Sequence, residues 1–183
     1  DLHALAVLIY MYLLYRHPLR GDKVFDMNDS QRDEELGMGE KALFIEHPTD
    51  HSNRIKLGNV KPSEQPWKDT QKMPYTITGP YLSELFKRAF IDGLHNPIAR
   101  PTADEWEQAL VKTVDLLQPC QGANCEQKWY AFDNSKSPKC PFCGTAHQGK
   151  LPVLNLYSAA PNGSYRPDNH RIMVYSGQSL FKW

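Results

Sequence analysis

The chain has 183 residues, with 21 Lys and Arg against 21 Asp and Glu, so its formal charge is zero before histidine. That length accommodates one moderate core and a small satellite unit. The charge balance argues against a duplex-binding or membrane-surface protein, either of which carries a basic excess.

The first element is an apolar run, Leu2 to Leu14, interrupted only by His3. A bilayer span needs about 20 residues, so this shorter run reads as a helix buried on nearly every side. A central helix is an odd first element, and the chain opens on Asp1 without an initiating methionine. It is therefore expected to be a fragment whose N-terminal part has been removed. No targeting segment is recognisable.

Residues 21–79 are rich in Asp, Glu, Pro, His and Asn, with short apolar islands such as Ala42-Leu43-Phe44-Ile45. They predict a long irregular insertion with short helices over Ser30–Glu35 and Gly39–Phe44. Gly37-Met38-Gly39 has no preceding strand and no third glycine, so it reads as a turn rather than a phosphate loop. His47, Asp50 and His51 sit in a polar, proline-containing loop, where scattered histidines are more often solvated than metal-bound.

Order returns at Pro80. Tyr81, Leu82, Leu85, Phe86, Ala89 and Phe90 follow the rhythm of an amphipathic helix ending at Gly93. Past the connector 95–101, Thr102 and Glu105 have the spacing of a capping box. Trp106, Ala109, Leu110, Val114 and Leu117 then mark one face of a helix predicted to reach Pro119.

Cys120, Cys125, Cys140 and Cys143 are the chain's four cysteines, two close pairs separated by fourteen residues. Such knuckles turn the backbone so that two sulfurs aim at one point, and Gly144 eases the turn after the second pair. Four convergent thiolates suit one structural Zn²⁺, with no coordination position open for an activated water. Two disulfides or four unrelated thiols are the alternatives; disulfides would call for an oxidising compartment, whereas zinc-bound thiolates fit a cytosolic one. Lys128-Trp129-Tyr130-Ala131-Phe132 reads as the strand between the knuckles, with Trp129 and Phe132 expected to be buried.

After Gly149, strands are predicted over Leu151–Tyr157 and His170–Tyr175, joined by a Pro/Asn/Gly-rich loop. The aromatic ending, Phe181 and Trp183, invites another strand or a partner to cover it. The expected fold class is α+β. A helical unit over 1–118 carries the insertion at 21–79, a zinc ribbon occupies 119–150, and a β extension, expected to be truncated or finished by a partner, runs over 151–183.

Two separated stretches resemble the late C-lobe of a protein kinase. Asp1-Leu2-His3-Ala4-Leu5-Ala6-Val7-Leu8-Ile9-Tyr10 with Arg16-His17-Pro18-Leu19 resembles its central helix, written D-x-W-S-x-G-V-x-L-Y then G-x-x-P-F, with His3 and Ala6 as departures. Leu85–Phe90 and Pro97–Trp106, with the turn Arg100-Pro101-Thr102, resemble its last two helices. The resemblance implies that Asp1 braces a catalytic loop and that Arg100 pairs with a buried glutamate of the activation segment. Both partners are absent here, which leaves Arg100 to solvent or to a carboxylate from residues 21–79. The Gly-rich loop, strand lysine, catalytic aspartate and D-F-G ligand are likewise absent, so no phosphoryl transfer is expected of this chain.

Together with the ribbon and Phe44-Ile45-Glu46-His47-Pro48-Thr49-Asp50, the chain is similar to bacterial kinase-like proteins of tellurite- and stress-resistance systems. The resemblance implies a docking role toward a von Willebrand A domain protein of the TerY type, in systems that also contain a 2C-type phosphatase. A carboxylate from residues 22–35 could complete a Mg²⁺ shell on that partner. Trp129, Tyr130, Phe132 and the terminal aromatics are candidate contacts. Two other functions stay open: a nucleic-acid-binding ribbon using Lys128-Trp129-Tyr130, which the charge balance makes the lesser choice, and a region that only stabilises the catalytic half of an active kinase.

Overall fold

A computed structural model describes residues 1–24 and 29–179. It is a mixed α+β structure of four helices and two small antiparallel sheets. Helix α1, Leu2–Leu14, is capped by the Asp1 carboxylate, which accepts the His3 N–H at 2.9 Å, and stops at Tyr15 in the left-handed region. Its burial is one-sided. Ala6, Tyr10 and Leu14 are sealed in the core, while Leu8 is 65% exposed and Tyr12 84%. An all-round buried helix was the expectation; the described chain covers only one face of it.

The insertion is less detached than its composition suggests. Helix α2, Ser30–Gly37, forms where expected, with the Asp29 side chain accepting the Arg32 N–H. The second expected helix, Gly39–Phe44, does not form. Its backbone is tied across the chain instead: Ile45 N–H donates to the Pro18 carbonyl at 2.9 Å. The Asn53 amide donates to the carbonyls of Leu19 and Leu43, at 2.9 and 2.6 Å. Irregular backbone with turns at Gly39–Ala42 and Phe44–His47 carries Ala42, Phe44 and Ile45 into the same core as α1.

Below that core lies a buried ion pair. Arg16, 3% exposed, donates to Glu46 Oε1 and to the Trp67 carbonyl, each at 2.6 Å, and to Tyr10 Oη at 3.1 Å. The Tyr10 hydroxyl donates to Glu46, whose other oxygen accepts the Tyr75 N–H at 2.8 Å. Burial, and then the Glu46 carboxylate, hold the Tyr10 hydroxyl well above its ordinary pKa. A buried charge is tolerated only when paired and fully hydrogen-bonded, and this one is both.

Helix α3, Pro80–Lys87, continues through a π-helical turn, Arg88–Asp92, to the predicted stop at Gly93. Its apolar face sets Phe86 and Phe90 against Tyr10, with ring centroids at 5.2 and 5.5 Å. Helix α4, Ala103–Asp115, starts from the predicted box: Glu105 N–H donates to Thr102 Oγ1, and Thr102 N–H to Glu105 Oε2. It ends four residues short of Pro119, because Leu117–Pro119 peels away as strand β1 and pairs antiparallel with β2, Trp129–Ala131.

Strands β3, Val153–Ala159, and β4, Tyr165–Met173, form a hairpin longer than expected. Met173 packs with Leu116 and Phe132. His170 reaches Asp115 on α4 at 2.5 Å, and the Tyr81 hydroxyl donates to the Asn169 carbonyl at 2.9 Å. The aromatic ending, Phe181 and Trp183, lies outside the described residues.

Candidate metal centre

The β1–β2 hairpin builds the first half of the site. Cys120 follows β1 directly, and its N–H donates to the Lys128 carbonyl at 2.7 Å, extending the ladder by one rung. The loop turns so that Cys125 N–H reaches the Gly122 carbonyl at 3.1 Å. In the second knuckle Cys140 N–H donates to the Thr145 carbonyl and Gly144 N–H returns to the Cys140 carbonyl. Gly144 has a φ of +75°, the left-handed geometry that glycine adopts without a Cβ penalty. Gln121 bridges the halves, its amide donating to the Gln148 carbonyl and accepting the Gln148 N–H.

The four sulfurs lie within 4.8 Å of one another. Cys120 and Cys143 are 3.5 Å apart, Cys125 and Cys140 3.7 Å, each contact crossing between knuckles. A disulfide needs about 2.05 Å, so neither pair is bonded. Around an ion at a metal–sulfur distance of about 2.3 Å, the edge of a regular tetrahedron is about 3.8 Å. The cluster fits one four-coordinate metal ion.

Each thiol has a distinct environment. Burial pushes Cys120 up to about 12, although the Gly122 N–H donates to its sulfur at 3.3 Å. Burial also raises Cys140. Cys143, exposed, is drawn down to about 6 by the hydroxyl and then the backbone N–H of Thr145. Four protonated thiols cannot serve as ligands, so binding releases protons and weakens as pH falls. Tyr130 closes the inner side, buried against Cys125 and Cys140.

Two supporting residues escaped the sequence reading. Thr145 orients Cys143. Gly122 lets the backbone pass the sulfurs: a Cβ there would lie 2.7 Å from Thr145 Oγ1 and 3.1 Å from Cys143 Sγ. A glycine inside a C-x4-C loop was the available signal.

Elsewhere the structure redistributes the expected roles. Trp129, expected to be buried, is 42% exposed and meets Tyr175 edge-on, because β2 turns Tyr130 and not Trp129 toward the cysteines. Phe132 is buried as expected. Of Lys128-Trp129-Tyr130, the tryptophan is the one ring open for stacking. Among the described residues Arg100 meets no carboxylate, and it is not left to solvent alone. It donates to the carbonyls of Gly93 and Leu94 at 2.8 and 3.0 Å, closing the end of the π turn. The insertion does supply a carboxylate to a buried arginine, but the pair is Glu46 with Arg16. Asp1 is an exposed helix cap. His47 Nδ1 accepts the Asp50 N–H of its own loop, and His51 contacts the Pro48 carbonyl.

Among the described residues no helix is long and apolar enough to cross a membrane. Comparisons with protein-family models, with curated proteins and with solved structures each returned no match.

Proposed function

We propose that this chain is a zinc-stapled docking region, the non-catalytic C-terminal part of a bacterial kinase-like protein of the cytosol. The observation that carries the reading is the convergence of all four cysteines on one point, two in the loop of a hairpin that grows directly out of α4 and two in the knuckle that follows it. Four thiolates favour Zn²⁺, and a site with every ligand supplied by the protein has a structural role. Zinc would hold the β1–β2 hairpin as a rigid knob on the helical body. Trp129 stands open on that knob, a large contact surface with few torsions to freeze.

The partner proposed is a von Willebrand A domain protein of the TerY type, with a 2C-type phosphatase in the same system. This rests on the kinase-like stretches and on the combination of insertion and ribbon. A carboxylate on α2, where Glu34 stands exposed, would enter the Mg²⁺ shell of the partner. Elemental analysis should find one zinc per chain, with thiols titrating only after chelation and unfolding. Calorimetric titration with the von Willebrand A protein should then give binding that Mg²⁺ removal from the partner abolishes. Zinc-free protein would overturn the staple. Binding that survives Mg²⁺ stripping would overturn the carboxylate contact, and no binding would overturn the partner.

A further inference from the structure

The two edges of the β3–β4 hairpin are built differently. β4 carries Arg166, Pro167, Asp168 and Arg171, and it holds the irregularity of the sheet. Between the pairs Asn155↔Arg171 and Tyr157↔Pro167 the chain advances two residues along β3 but four along β4. Proline, charges and a bulge are the devices that protect a strand edge from pairing. β4 is also the strand fastened to the rest of the chain, through His170 to Asp115 and the Tyr81 hydroxyl to Asn169 on the body side and Arg171 to Asn134 beyond β2.

β3 has none of this protection. Val153-Leu154-Asn155-Leu156-Tyr157-Ser158-Ala159 is uncharged, free of proline and regular, and no described strand pairs with its outer side. Leu154 is 40% exposed and Tyr157 56%. The direction of its backbone groups follows from the hairpin's two ends. Val174 N–H donates to the Pro152 carbonyl, and Ala160 N–H to the Ser164 carbonyl. Even-numbered residues of β3 therefore face β4, and Val153, Asn155, Tyr157 and Ala159 aim N–H and C=O outward.

The geometry points to β3 as a homodimerisation edge, pairing antiparallel with β3 of a second copy about a two-fold axis at Leu156. The strand is self-complementary in that register. Asn155 lies opposite Tyr157 of the second copy and Val153 opposite Ala159, pairs that exchange about eight backbone hydrogen bonds across the seam. Leu156 meets its own copy on one face, and no like charges are opposed. The product is a four-stranded sheet, β4–β3–β3–β4, with protected strands outermost. It turns a hairpin of marginal size into a sheet of independent stability.

Sedimentation velocity of the intact chain, from about 1 µM to about 200 µM, should show a monomer–dimer equilibrium. Asn155→Pro removes an outward N–H and no bond to β4, and should weaken the dimer by about tenfold or more. Tyr157→Lys places two cations diagonally across the axis, each opposite Asn155 of the other copy, and should weaken it in a way that added salt partly relieves. Far-UV dichroism and metal content report whether each variant is folded. Weakening in either folded variant supports the edge. A chain that stays monomeric over the whole range, or a dimer that both folded variants leave unchanged, overturns it.

Discussion

The helical body and the metal module solve the same problem by different means. In the body, Tyr10, Phe44, Phe86, Phe90 and Trp106 are all at most 1% exposed and interlock ring against ring. Burial of that much apolar surface stabilises it, at about 25 cal/mol per Å². The module around β1 and β2 has little to bury beyond Tyr130, Phe142 and the cysteines themselves. Its strands are three residues each. A unit of that size needs a staple, and four converging cysteines are a donor set that could supply one in place of a core.

Removing the metal should break the comparison most visibly. Chelation, or Cys140→Ser at a sulfur-bearing residue only 1% exposed, should unfold the module, since structural zinc contributes on the order of 10 kcal/mol to such folds. The body should keep its helices. Calorimetry should show the thermal transition of the body persisting after chelation while that of the module disappears. A single transition lost in one step would show that the two regions are one cooperative unit through Leu116, Phe132 and Met173.

The body has its own point of failure, and there charge matters more than apolar area. Glu46→Ala leaves the Arg16 guanidinium buried without its carboxylate, which costs about 3–5 kcal/mol. Arg16→Met combined with Glu46→Leu should recover much of that loss, because an apolar pair of similar volume carries no desolvation penalty. Denaturant midpoints of the two variants and of the unmodified chain measure both effects. A double variant no better than Glu46→Ala would mean that the Trp67 and Tyr75 backbone groups, stranded by the change, dominate instead.

What the chain's order of residues disclosed follows the range of the interactions. The cysteine knuckles, the Thr102–Glu105 box and the α3 stripe ending at Gly93 are local patterns, set by residues a few positions apart, and each was legible. The Arg16–Glu46 pair spans 30 residues, and only the folded chain brings it together. The acceptors of Arg100 were not legible, because backbone carbonyls carry no sequence signal. Phe44 lies in an apolar island that reads as helix, but its conformation is set by the Pro18, Leu19 and Asn53 contacts. The same holds for Trp129, whose exposure depends on which face of a three-residue strand meets the cysteines.

A milder perturbation sharpens the contrast by loosening the staple without removing a ligand. Gly122→Ala places a methyl group against Thr145 and Cys143, and Thr145→Val removes the hydroxyl that orients the Cys143 sulfur. Changes in such supporting groups typically lower metal affinity by about 10–100-fold. Competition with a chromophoric chelator should register that drop, with the helical body's denaturant midpoint unchanged.

The smallest effect belongs to the body's surface. Arg88 grips Glu105 with two parallel bonds, at 2.7 and 2.9 Å, while the same carboxylate caps α4. The Arg88 guanidinium, and then the Thr102 N–H, hold Glu105 at about 2, against an ordinary 4.5. Because the folded value is the lower one, this contribution is complete above about pH 4.5 and is lost as pH falls toward 2. The carboxylate is 40% exposed, so solvent screening limits the stabilisation to about 1 kcal/mol. Glu105→Gln should lower the stability of the body by that amount at neutral pH and leave it unchanged near pH 2. Urea melts of both proteins across that window would test the linkage. A difference that persists at the acid end would assign the loss to the altered cap geometry instead of the charge.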